Sequence, residues 1–181
     1  MISPDILLPF LLIFAVIYGI LMSTKILGDH KGINSIIVHH TLSDYDDMYE
    51  GVRKIYKFHA LNRQWWDIGY NFLIGKNGEI FEWRAWWERV VAAHDKWNNR
   101  STLWIAMIWD YSHTEINNVQ KESLEKLIKY LGKKYKLNFQ SQQYYHKECF
   151  GEGCDLPLET FQMGTIIWHR DAGHTSCPGD E

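Results

Sequence analysis

The residues best suited to chemistry lie in WHRDAGHTSCPGD, where His169 and Cys177 stand eight positions apart on a loop rich in Arg, Asp, Gly and Pro. An imidazole and a thiolate so placed are candidate zinc ligands, because zinc favours nitrogen and sulfur donors converging from separate elements. A catalytic zinc takes three protein ligands and keeps one position for water. The third candidate is far upstream in IIVHHT, where His39 and His40 close an apolar, β-branched stretch. A strand end is a rigid mount for a ligand. Such a site lowers the pKa of a bound water and polarises a carbonyl, which suits hydrolysis of an unactivated bond.

The elements that must position these residues follow from periodicity. Ser35 to His40 reads as a short buried strand. Asp44, Asp46 and Asp47 lead into a helix whose Met48, Val52, Ile55 and His59 recur on one face. Tyr70 to Ile74 and Glu79 to Arg84 read as strands joined by the GKNG turn. Leu103 to Trp109 is another apolar strand. Val119 to Tyr135 is the clearest helix, with Leu124, Leu127, Ile128, Leu131 and Tyr135 as its buried stripe. Thr165 to Trp168 is a last strand that delivers His169. The expected fold class is α/β (α+β), a central mixed sheet flanked by helices, with no internal repeat.

Three blocks in order, IIVHHT, DIGYNFLIGKNGEIFEWR and HRDAGHTSCPGD, make the chain resemble the zinc-dependent N-acetylmuramoyl-L-alanine amidases, a family that includes phage lysozyme-type amidases and peptidoglycan recognition proteins. The resemblance runs from about Ile33 to the end of the chain. It implies one Zn2+ held by His39, His169 and Cys177, with cleavage of the amide between N-acetylmuramic acid and L-alanine in peptidoglycan. It also implies that Tyr70 and Thr175 act beside the metal, positioning the attacking water or holding the developing oxyanion. The glutamate that a related branch carries on its corresponding strand falls at Ala106 here. For substrate binding the resemblance points to His94, to Arg84 as partner of a stem-peptide carboxylate, and to Trp86 and Trp87 against sugar or lactyl groups. His40 and His59 read as structural. Trp104 and Trp109 stand where relatives favour glycine, and the sequence stops just after CPGD, where relatives continue into a closing helix, so either that helix is missing or the sequence is a fragment.

Residues 1–28 read as a separate unit. Ile6 to Met22 has no charge and is long enough to cross a bilayer core of about 30 Å, so one transmembrane anchor is expected before an amidase domain at 29–181. Lys25 and Lys31 would favour a cytoplasmic domain by the positive-inside tendency. The function implied places the domain on the cell-wall side, or marks a phage enzyme released later. The balance of 19 basic against 22 acidic residues gives no argument for nucleic acid as partner. Nine Trp and ten Tyr suit both a core and a groove that stacks sugar or peptide. Cys149 and Cys154 allow a local disulfide outside a cell or two free thiols inside one, and His146 nearby makes a second metal site conceivable on unspecific spacing. Two other functions fit the same residues: a non-catalytic peptidoglycan-binding module, and a membrane-tethered interaction protein on the amidase fold. Oligomeric state is not legible.

Overall fold

A computed structural model describes residues 32–84, 91–93, 95, 97–147, 159–173 and 175–179. The expected anchor, together with His94, Trp86, Trp87, Cys149 and Cys154, lies outside the described residues. Among the described residues no helix is long and apolar enough to cross a membrane.

The chain forms β1 (Ser35–His40), α1 (Met48–Tyr56), a π-helical continuation (Lys57–Asn62), β2 (Phe72–Ile74), β3 (Ile80–Glu82) and β4 (Thr102–Met107). It continues through α2 (Asn118–Tyr135), β5 (Gln142–His146), β6 (Thr160–Gly164), β7 (Ile166–Trp168) and the short α3 (His169–Ala172). The main sheet has the order β3-β2-β4-β1-β7, and β5 and β6 form a separate antiparallel pair. Strands β2, β4, β1 and β7 run parallel, with β3 antiparallel at the edge, so the sheet is mixed as expected.

Every residue of β1 and of β4 is buried, the pattern of central parallel strands covered on both faces. On one face Ile37, Leu73, Trp104, Ala106 and Ile167 pack with Met48, Val52 and Ile55 of α1. On the other, Ile36, Val38, Phe72, Leu103 and Ile105 pack with Leu124, Leu127 and Leu131 of α2. The alternation of side chains along a strand produces this division. Asp47 caps α1, its carboxylate accepting from the N–H groups of Tyr49 (2.8 Å) and Glu50 (3.2 Å), and Asn117 caps α2 by accepting from Gln120 N–H at 2.9 Å.

Several expectations require correction. The strands are shorter than the apolar runs. Tyr70 and Asn71 precede β2, and Trp109 lies beyond β4 with the Lys76 ammonium 3.6 Å from its ring centre. The pair β5–β6 was not expected, because Gln142, Gln143, Gln162 and Thr160 break the apolar signal and Tyr145 alone is fully buried on β5. The π-helical continuation was not expected either, since its side chains keep a helical pattern that brings His59 inside.

Candidate metal centre

His39 is the fifth residue of β1 and is 1% exposed. Its ring stacks on Trp104, with centroids 4.3 Å apart and planes at 19°. The indole is fixed in turn, because Trp104 Nε1–H donates to Thr102 Oγ1 at 2.6 Å. Trp104, which departs from the glycine expected there, thus forms a backing plate for the histidine. Strand β7 lies on the other side of β1, with Val38 paired to Trp168, and the next residue is His169. Its ring centroid is 4.3 Å from that of His39.

The loop after α3 returns Cys177 to the same point. Arg170 N–H donates to Cys177 O at 2.7 Å, and the Arg170 guanidinium donates to Gly179 O. Gly179 has φ +114°, and a Cβ there would meet Tyr111 O, so the turn tolerates only glycine. The peptide bond between Cys177 and Pro178 is cis. Lys147 braces the loop from outside, its ammonium donating to Arg170 O (3.2 Å) and Asp171 O (2.9 Å). Nothing in the sequence around Lys147 signals this role.

The outcome is one cluster. One donor atom each from His39, His169 and Cys177 lie within 4.8 Å of one another, and Cys177 Sγ is 3.6 Å from His39 Nδ1. His40 Nδ1 accepts from Tyr111 N–H at 3.2 Å, while its backbone N–H donates to Cys177 Sγ at 3.2 Å. His40 therefore supports the cluster through its main chain.

Burial governs the ionisation of these groups. Desolvation, with Lys147 and His40 adding to it, lowers the pKa of His169 to about 4, so its imidazole is neutral at ordinary pH. Burial pushes the Cys177 thiol up to about 12, against the pull of the His40 N–H and Arg170. Burial first, and then Cys177, raises the Tyr70 phenol above its usual range. A buried, proton-retaining sulfur beside the neutral His169 imidazole is the state expected of a soft cation site before loading, since the cation replaces the thiol proton. The Nε2 of His169 is also buried without a hydrogen-bond partner. Two nitrogens and a sulfur with no carboxylate among them suit Zn2+.

The cluster lies in a cleft of about 550 Å³. Tyr70, whose ring centroid is 5.5 Å from that of His39, and Thr175 line it as expected. Thr175 Oγ1 accepts from Cys177 N–H at 3.1 Å. Ala106 is the register partner of His39 and is fully buried, so no carboxylate stands at that position. Arg84 departs from its expected role. It is 3% exposed and donates from Nη1 to Val91 O (2.9 Å) and from Nη2 to Trp65 O (3.3 Å). A guanidinium held on carbonyls inside the wall does not fit a partner for a substrate carboxylate. Instead Lys54, Phe58, Arg63 and Trp65 line the cleft. Sequence reasoning missed all four, which lie off the buried stripe of α1 on a segment whose π-helical turn alters the facing.

A family model described as N-acetylmuramoyl-L-alanine amidase matches residues 29–180. Peptidoglycan-recognition protein SC2 of Drosophila melanogaster is 27% identical over 149 residues, covering 79% of this chain and 66% of that protein. The peptidoglycan recognition protein of Bombyx mori is 31% identical over 103 residues, covering 55% of this chain and 52% of that protein. Among solved structures, N-acetylmuramoyl-L-alanine amidase LysC from Clostridium intestinale URNW superposes with a TM-score of 0.61 at 26% identity, over 82% of this chain and 78% of that one. The complex of the ectodomains of peptidoglycan recognition proteins LCa and LCx with tracheal cytotoxin gives 0.65 at 25%, over 84% and 80%. The matched segment takes in both histidines and the cysteine of the cluster, and the chain belongs to the N-acetylmuramoyl-L-alanine amidase family.

Proposed function

We propose that this chain is a zinc-dependent amidase that hydrolyses the bond between N-acetylmuramic acid and L-alanine in peptidoglycan. The observation that carries the reading is the convergence of His39, His169 and Cys177 within 4.8 Å on a cleft that also presents Tyr70 and Thr175. When bound, Zn2+ supplies Lewis acidity and lowers the pKa of water. The remaining work falls to the chain. Tyr70 keeps its proton at neutral pH because burial raises its pKa, so its role is to donate a hydrogen bond and not to act as base. Thr175 uses its oxygen to accept from Cys177 N–H, which leaves its O–H to donate toward an oxygen in the cleft. The closed wall behind His39, built from Trp104 and Ala106, keeps water away from the sheet side.

The deciding experiment is treatment of purified cell walls with the protein, with and without chelator. New L-alanine amino termini are expected, and their loss with chelator and return with Zn2+. Binding to walls without any release would instead favour a non-catalytic binding module, a reading supported by relatives named for recognition. The apolar run Ile6 to Met22 supports an anchor, and the proposed activity requires the domain on the cell-wall side, against the tendency of Lys25 and Lys31. Alkali-resistant sedimentation of the full chain with membranes tests this.

Metal loading carries its own pH signature. Cys177 loses one proton on binding, and His169 is already neutral above about pH 4. From about pH 6 to 8 the Zn2+ affinity is therefore expected to rise about tenfold per pH unit, one proton being released per ion. Without metal the signs also follow. His169 is depressed, so the unfolded chain binds the extra proton and stability falls as pH drops from about 6.5 toward 4. Chelator competition at several pH values measures the first effect. A flat profile would remove Cys177 from the ligand set.

A further inference from the structure

From Lys126 to Lys147 the chain carries six lysines and no aspartate or glutamate, although the whole chain has net charge −3. Lys126 and Lys129 are engaged with Glu122 (3.4 Å) and Glu125 (3.8 Å). Lys133, Lys134 and Lys136 are exposed at the end of α2, and none of them forms an ion pair among the described residues. Cations complement the helix dipole there. The dipole does not explain the aromatic groups exposed between them. Tyr130 is 57% and Phe139 41% exposed, and the Lys134 ammonium lies 6.0 Å and 5.4 Å from the ring centres of Tyr130 and Tyr135.

Topology places this cluster. α2 starts beside the C-terminal end of β2, where Gln120 Nε2 donates to Ile74 O and Asn117 Nδ2 to Lys76 O, both at 2.9 Å. It ends about 27 Å further on, at 1.5 Å per residue. There Thr165 Oγ1 donates to Asn138 O at 2.6 Å, and Thr165 O accepts from Ile36 N–H at the start of β1. The described chain also enters at this end, with Asn34 N–H donating to Ser101 O at 3.0 Å. The metal centre lies at the opposite end of the same strands, at His39. The basic-aromatic end and the point where the described chain begins therefore coincide.

We infer that this end of the domain docks on an anionic lipid headgroup surface and holds the cleft facing away from the bilayer. Unpaired lysines are attracted to such a surface within a Debye length, and exposed tyrosine and phenylalanine suit the interface. The tether that keeps the surface within reach rests on the anchor reading above.

The test reconstitutes the full chain in vesicles of phosphatidylcholine alone, or with about 30% phosphatidylglycerol. Amine acylation is then followed by peptide mass spectrometry. In the anionic vesicles Lys133, Lys134 and Lys136 are expected to react at least about threefold more slowly, while Lys54 on the cleft side is unchanged. Salt at about 0.5 M should remove the difference. In a K133E/K136E variant, Lys134 should react at its neutral-vesicle rate in both. Association with both vesicles and no protection of the three lysines would leave the anchor standing and overturn the docking. Association with neither would overturn both. Protection by a soluble polyanion but not by anionic vesicles would assign the surface to a different partner and overturn the inference.

Discussion

Replacing His39 with alanine is expected to remove stoichiometric Zn2+ and reduce wall hydrolysis to background. Apparent binding energies of structural zinc sites, about 10–16 kcal/mol over four ligands, imply about 2.5–4 kcal/mol per donor. Loss of one donor thus weakens affinity on the order of 10²–10³-fold. His39 contributes more than a nitrogen, because its ring is clamped against Trp104 and stands 4.3 Å from His169. Its removal also leaves a space beside a fully buried indole, so thermal unfolding of both proteins without metal must accompany the measurement. A variant that folds, yet retains one Zn2+ per chain, would refute the assignment of the ligands.

Tyr70→Phe is expected to separate binding of metal from turnover. The ring remains in place between His39 and His59, whose centroids lie 5.5 Å and 5.4 Å away, so fold and zinc content should persist. Only the hydroxyl is lost. A donor aimed at developing negative charge is worth roughly 10²–10³-fold in kcat. The desolvated phenol is suited to that task, because it stays protonated across the working pH range. The expected result is a loss of that size with metal content unchanged. Full activity would place Tyr70 in the wall of the cleft and nowhere in the chemistry.

The clustering of His39, His169 and Cys177 was legible because their residue types are scarce and their chemistry is narrow. Two histidines at the ends of apolar strands and a cysteine on the loop that follows have few other reasons to meet. Asp47 was readable in the same way, since a carboxylate just before an amphipathic stretch satisfies backbone donors that nothing else reaches, whereas the cap at Asn117 was not anticipated. Arg84 was misjudged because a cation reads as exposed in sequence, whereas here the long side chain crosses the wall to carbonyls of Trp65 and Val91. Such a partner is set by tertiary packing and leaves no periodic mark. β5 and β6 were illegible for a related reason. Asn98, whose side chain both donates to His146 O (2.8 Å) and accepts from His146 N–H (2.9 Å), ties that pair to a distant loop.

The separation of His39, His169 and Cys177 along the chain sets when their cluster can come into being. Cys177 Sγ and His39 Nδ1 belong to residues 138 positions apart, and they meet only after β4 and β7 have flanked β1. Pairings over such distances form late relative to local helices. During biosynthesis a half-emerged chain therefore has no high-affinity place for the ion, and His39 stays idle on the ribosome until the far loop arrives. On the zinc reading proposed above, completion of the sheet and formation of the place for the ion become a single event.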